Sequence, residues 1–359
     1  MDDRYALLIG LNYKYSNNNA AKLDGCINDA NNIKKILINE LNFKEENIRL
    51  VTDDTNIDGT KNNILKMFDW LVDLSNNGVK YLWLSFAGHG IQRFDFGGDE
   101  TDNYDECIIP LDYFKDRSII KDDEIVSRLI ERLNPNTNLI SVFDCCHSGT
   151  ILDLPYSFER GNLLFRDNNV LQNRNLVDKK LANVIMFSGC KDFEKSEETY
   201  NYINGKFEIT GAMTTGVINI LKNNNYEIKC IDLYNLLNEY TKTNNHNQRP
   251  QISSTIKIDN STNFIKKGKN RYFFINEGEE AEEEDKPYKS IYFNQEINTT
   301  QLLGDLILLA VNKKYDNSIN YKYIRFNQQK KNYIEKDLET LTMWFENPEK
   351  NESPFINNQ

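Results

Sequence analysis

Histidine is scarce in this sequence. The chain has three, His89, His147 and His246, so few residues can serve as an imidazole base. Paired cysteines are lacking too. Six cysteines, at 26, 107, 145, 146, 190 and 230, include no Cys-x-x-Cys pair. That excludes the usual zinc spacings and gives no disulfide framework, so a reducing cytoplasm is expected. No apolar run reaches the roughly 18 residues that a membrane span needs. Met1 to Arg4 lead straight into a strand-like run, with no signal peptide expected. Positive charge is in deficit, with 43 Lys+Arg against 54 Asp+Glu and a net charge of −11. This argues against nucleic acid or an anionic membrane as partner and is compatible with cationic partners, although solubility alone explains most acidic chains. Internal repeats are absent.

What is present is an alternation of short apolar runs and helical periods. At 39%, apolar residues are enough for a core over 359 residues, and one domain of about 250 residues plus something smaller is expected. Tyr5 to Leu11, Tyr81 to Phe86, Leu139 to Phe143 and Asn183 to Phe187 read as buried strands, with Ile48 to Thr52 a short one. Between them, Asp24 to Leu41, a Thr60-capped stretch to about Ser75, and Asp122 to Leu133 read as helices. Asp95 to Glu106 reads as a polar loop and Cys107 to Leu111 as a strand. Residues 153–180 read as an exposed basic loop. Gly211 to Leu221 and Ile231 to Tyr240 are predicted helices, and Gln251 to Ile258 a strand. This alternation predicts an α/β fold of three layers around a mainly parallel sheet, whose strand ends share one rim. Asn12, His89, Asp144, Cys146 and Ser188 are predicted on that rim. After residue 265 the character changes. Seven acids between Glu277 and Asp285 mark a solvated linker over 266–287, and 288–359 reads as a small separate α+β unit.

The chemistry gathers at two strand ends. One breaks into Ala87-Gly88-His89-Gly90, the other into Asp144-Cys145-Cys146-His147-Ser148-Gly149. Catalytic groups in open α/β sheets lie beyond the carboxyl ends of strands. A thiol becomes a strong nucleophile as thiolate, which a neighbouring imidazolium favours. His147 adjoins Cys146, and adjacent side chains at a strand end diverge; His246 lies in an Asn-rich loop. His89, on a separate strand, is the better partner. Backbone amides at the Cys146 and Gly90 turns are candidate oxyanion donors. A single buried Cys or a single His is most often a packing residue; the two strand ends together carry the reading.

Ser85-Phe86-Ala87-Gly88-His89-Gly90 and Asp144 to Gly149 resemble the two catalytic motifs of caspase-like cysteine peptidases, most closely the type I metacaspases. The resemblance runs in order through Ala6 to Tyr13, Gly25 to Ala30, Leu50 to Asp54, Asp122 to Glu124, Thr150 to Tyr156, Phe187 to Asp192, Thr210 to Met213 and Arg249 to Ser254. It covers roughly residues 4–260 and not the C-terminal unit. It implies a caspase-like fold and an endopeptidase that cleaves after Arg or Lys, with Cys146 as nucleophile and His89 as general acid/base. It maps an acidic specificity pocket onto Asp29 and Asp144, with Cys26 beside them; two such carboxylates suit a guanidinium or ammonium. It also implies calcium activation through Asp105, Asp122, Asp123 and Asp153, hard oxygen donors in a spacing that is not an EF-hand. Self-cleavage in the 153–180 loop, after Arg166, Arg174 or Lys180, is a further expectation, as is a monomer. The Pro- or Gln-rich prodomain that type I members often carry has no counterpart before Tyr5. One departure is Ala87, where the family usually has Ser. The competing readings are a caspase fold kept as a non-catalytic scaffold, and a caspase-like peptidase of different specificity.

Overall fold

In a computed structural model of the chain, the described residues are 4–95, 104–146, 148–158, 166–167, 180–189, 198–203, 206–246, 248–267 and 272–274. They form, in chain order, β1 (Arg4–Gly10), α1 (Cys26–Asn39), β2 (Ile48–Thr52), α2 (Lys61–Asn76), β3 (Tyr81–Ala87), β4 (Gly90–Phe94), β5 (Tyr104–Ile108), α3 (Tyr113–Asp116), β6 (Ile120–Lys121), α4 (Asp122–Arg128) and β7 (Asn138–Asp144). Then come β8 (Tyr156–Phe158), β9 (Arg166–Asp167), β10 (Asn183–Ser188), β11 (Glu198–Ile203), β12 (Lys206–Gly211), α5 (Ala212–Asn223), β13 (Ile228–Lys229), α6 (Cys230–Thr243), β14 (Gln251–Ser254), β15 (Asn263–Lys267) and β16 (Tyr272–Phe274).

The main sheet has the order β2-β1-β3-β7-β10-β14-β8-β9. Its strands β2, β1, β3, β7 and β10 are parallel, and β14 and β8 run antiparallel beside them. Every residue of β3 and β7 is buried, which explains their unbroken apolar runs: both faces of a parallel sheet are covered. Successive side chains point to opposite faces. Trp83, Ile140 and Ile185 pack under Ile33 and Leu37 of α1, Met213 and Val217 of α5, and Leu233 and Leu237 of α6. Leu84, Leu139 and Val184 pack under Phe68 and Leu71 of α2 and Ile125 of α4. These are the three layers. Register pairs Gly10 with Ala87, Ala87 with Asp144 and Phe143 with Ser188, so the parallel strands end together on the expected rim.

Several elements depart from the sequence-based expectation. β5 lies three residues before the predicted 107–111 strand, because pairing with β4 brings part of the supposed polar loop into a hairpin. Thr60 holds the N-cap position of α2, but its hydroxyl donates to Asp58 (2.9 Å) and makes no cap bond. The helix from Asp122 breaks after Arg128 into a 3₁₀ turn at Ile130–Arg132. The stretch read as an exposed loop from residue 153 begins instead with Asp153 and Leu154 buried, and it adds β8 and β9 to the sheet edge. The β11–β12 hairpin is not among the expected elements, although its sequence alternates (Tyr200-Asn201-Tyr202, Phe207-Glu208-Ile209) around an Asn204-Gly205 pair, a strong hairpin signal. Paired strands also continue past residue 265, since β15 pairs with both β13 and β16. The acidic run, the 288–359 unit, Arg174, Cys190 and His147 lie outside the described residues.

Candidate active site

The rim is built by backbone register. β3 and β7 are hydrogen-bonded neighbours whose last residues, Ala87 and Asp144, face each other. The chain then leaves β3 through Gly88 and His89 and turns into β4, while β7 runs on into Cys145 and Cys146. The two paths stay in contact. A methyl group at Gly90 would fall 1.9 Å from the Cys146 carbonyl oxygen, so only glycine allows this approach. His89 is thereby brought beside the loop that carries Cys146. Ala87, where Ser is usual, is buried at this junction.

His89 is partly exposed and tied down. Its Nε2 lies 2.8 Å from the Ala21 carbonyl oxygen. A carbonyl only accepts, so Nε2 carries a proton and donates, and Nδ1 is the nitrogen for proton exchange. The imidazole stacks on Tyr13 with centroids 4.7 Å apart.

The adjacent cysteines have opposite surroundings, as successive residues leaving a strand should. Cys145 is 1% exposed and packs in the apolar layer under α2 and α4; burial pushes its thiol well above the ordinary range. It is a packing residue. Cys146 is partly exposed. Behind it, the Ser148 hydroxyl donates to the Cys145 carbonyl (2.9 Å). The Thr150 hydroxyl donates to Glu106, whose other oxygen accepts from Gln92 (3.0 Å). Glu106, almost fully buried, thus ties the β4–β5 hairpin to the loop that follows Cys146.

The predicted acidic pocket residues also come together. Asn12, at the end of β1, accepts from the Ile27 amide (3.0 Å) and so fixes the start of α1 at the rim. Cys26 opens that helix and Asp29 lies one turn on; both are buried. Asp29 accepts the Gly211 amide with both oxygens (3.1 and 3.0 Å). Asp144 accepts the Thr214 amide (2.8 Å) in the first turn of α5, where the helix dipole favours negative charge. A methyl group at Gly211 would lie 2.2 Å from Asp144 Oδ2 and 3.0 Å from Asp29 Oδ2, so the two carboxylates flank one glycine.

Of the four acids expected to hold a cation, three gather. Asp105, Asp122 and Asp123 each offer an oxygen within 4.8 Å of the others; Asp153 is buried in the turn after the Cys146 loop and is not in that group. Asp122 accepts the Glu106 amide (2.7 Å) and the Asp123 amide (2.7 Å). Asp105 is fully buried and pairs through Oδ2 with Lys121, which raises the Lys121 pKa; its Oδ1 has no hydrogen-bond partner among the described residues. Burial first, then the charges of Asp122 and Asp105, push the neighbouring Cys107 thiol up to about 12.

Sequence reasoning missed Ala21, Glu106 and the Gly211 and Thr214 amides. It saw Tyr13 only as part of a motif. A backbone carbonyl or amide has no residue-type signature, so no sequence signal marks Ala21 or Thr214; Gly211 lay within a motif of the resemblance, with nothing to say that its amide is used. Glu106 gave one weak signal, an acid within a predicted polar stretch.

A mainly parallel sheet covered on both faces, with His89 and Cys146 just beyond neighbouring strand ends at its carboxyl rim, is the architecture of a caspase-like cysteine peptidase. The family model described as metacaspase, peptidase C14 domain, matches residues 4–155. Metacaspase-1A of Neurospora crassa is 33% identical over 305 residues, 73% of this chain and 65% of its own length. Metacaspase-1B of the same fungus is 33% identical over 72% of this chain and 68% of its own. Metacaspase-1 of Kluyveromyces lactis is 32% identical over 73% and 68%. The matches thus span about two thirds of the length of these relatives. The chain belongs to the metacaspases, a family of cysteine-type endopeptidases, in its type I branch. Among solved structures, the crystal structure of Caspase-1 from Spodoptera frugiperda is similar over 71% of this chain and 90% of that one, at 10% identity and a TM-score of 0.43. No helix among the described residues is long and apolar enough to cross a membrane.

Proposed function

We propose that this chain cleaves peptide bonds after Arg or Lys by a Cys146–His89 dyad. The observation that carries this is the contact of Gly90, the residue after His89, with the Cys146 carbonyl. The Cys146 thiolate attacks the scissile carbonyl carbon. The C–N bond breaks as protonated His89 gives its proton to the departing amine, leaving a thioester. Water, deprotonated by the now neutral His89, attacks that thioester and releases the acid and the thiol. Asp29 and Asp144 take the cationic side chain that precedes the cleaved bond.

Asp29→Asn keeps an acceptor for the Gly211 amide and removes the charge. It is expected to lower kcat/KM for Arg peptides on the order of a hundredfold, the scale of removing one partner of a buried charge pair. Unchanged preference for Arg would reject the pocket.

Calcium is part of the proposal. Three hard carboxylate donors and an unsatisfied buried oxygen on Asp105 suit such an ion. Asp105, Asp122 and Asp123 would hold it, with Lys121, 38% exposed, moving aside. When bound it would supply two positive charges among three acids and brace β5 against the start of α4, which carry them.

The deciding experiment is hydrolysis of fluorogenic peptides ending in Arg, Lys or Asp, with and without Ca²⁺, with Cys146→Ala as control. Calcium-dependent cleavage after Arg or Lys, absent in the control, is expected. Cleavage without calcium discards the ion and keeps the dyad. Intact mass after the same incubation tests self-cleavage within 153–180. In that stretch Lys180 is exposed, while Arg166 lies in β9; an unchanged mass removes self-processing.

A further inference from the structure

We infer that Tyr13 is a positioning residue for His89: its ring backs the imidazole, and its hydroxyl closes a hydrogen-bonded ring that locks the His89 backbone to Ile109. This rests on the reading of His89 as the proton carrier.

Tyr13 follows the end of β1 with φ at +52°, a left-handed conformation that costs a bulky side chain energy. The surroundings hold it there. The Asp53 carboxylate accepts the amides on either side, from Asn12 (2.8 Å) and Lys14 (2.7 Å). The ring is 1% exposed, stacked on His89 at 28° on one side and met edge-on by Phe114 at 5.8 Å.

The hydroxyl is used twice. It accepts the His89 amide (2.9 Å) and donates to the Ile109 carbonyl (2.7 Å). The Ile109 amide in turn donates to the His89 carbonyl (3.1 Å). Three bonds therefore link His89, Tyr13 and Ile109 in a closed circuit across the β3–β4 junction, the end of β1 and the end of β5. Burial, the largest influence on Tyr13, raises its pKa well above the ordinary value, so the hydroxyl keeps the proton it donates. With Ala21 holding Nε2, the imidazole is restrained at ring face, ring edge and backbone. A proton carrier gains from such restraint, because small misplacements of a reacting group cost large factors in rate.

The test compares Tyr13→Phe, Tyr13→Leu and His89→Ala with the unsubstituted chain. It measures kcat and KM on an Arg peptide, active fraction by active-site titration, and the pH profile of Cys146 alkylation by iodoacetamide. Tyr13→Phe keeps the stack and breaks the circuit. It is expected to lower kcat per active site about tenfold, with KM unchanged within about twofold and the acid limb of the alkylation profile displaced. Tyr13→Leu is expected to lose more, on the order of a hundredfold. A Tyr13→Phe chain with kcat per active site and alkylation profile as in the unsubstituted chain overturns the positioning role, whatever its melting temperature. In that case, loss of both in His89→Ala leaves the dyad standing. Unchanged values in His89→Ala overturn the dyad and the positioning role with it.

Discussion

Cys146→Ala and His89→Ala are each expected to lower kcat/KM on an Arg peptide by roughly a thousandfold or more, and the double variant no further than the worse single. The non-additivity is the informative part. A thiol without its base and a base without its thiol fail at the same step, so removing the second partner has nothing left to remove. Both side chains are partly exposed, so the melting temperature should move little. Cys145→Ala is the matched control. Its side chain is buried, and burial keeps its thiol protonated. It should cost about 1 kcal/mol of stability and leave turnover per folded molecule unchanged. Losses from the two dyad positions that multiply, or a Cys145→Ala chain without activity, would move the nucleophile elsewhere.

Gly90→Ala is expected to disable the enzyme without touching either reactive side chain. The added methyl would meet the Cys146 carbonyl oxygen at 1.9 Å and its carbon at 3.1 Å. These are backbone atoms and cannot rotate aside. Either β4 or the nucleophile loop must shift, separating His89 from Cys146. A displacement of about 1 Å costs on the order of a hundredfold in rate. The overpacking itself should cost about 2 kcal/mol, a fall of roughly 4–8 °C in Tm for a domain of this size. Alkylation of Cys146 by a small iodoacetamide probe checks the cause. The thiol should stay accessible but lose the pH dependence that His89 confers. Wild-type turnover in this variant would mean that the contact does not hold the dyad.

The legible part of the fold follows from burial on two faces. β1, β3, β7 and β10 are almost wholly apolar because helices cover both sides, and such runs stand out in a sequence. Their alternation with helices predicted the parallel order and the shared rim. The elements that escaped, β8, β9 and the β11–β12 hairpin, lie at the edge of the sheet or outside it. For β8 and β9 cross-strand pairing, not residue pattern, makes the strand, whereas β11–β12 does show alternation around Asn204-Gly205 in its sequence. α4, which packs against α2 and β5, ends earlier than its local period allows.

For the site, residue types spoke only where the chemistry needs a particular side chain. A thiol and an imidazole at two glycine-rich strand ends were visible as His89 and Cys146, and acids at fixed motif positions as Asp29, Asp144, Asp105, Asp122 and Asp123. Sequence by itself determined the family, the parallel core and the identity of these groups. Only the tertiary structure decided that Asp105, Asp122 and Asp123 gather, and which cysteine is buried. It alone supplied the Ala21 carbonyl, the Gly211 and Thr214 amides and the Tyr13 hydroxyl. Those groups act through backbone position or through a buried contact between distant segments. The position of a backbone atom is set by the fold around it and not by the letter at that place in the chain.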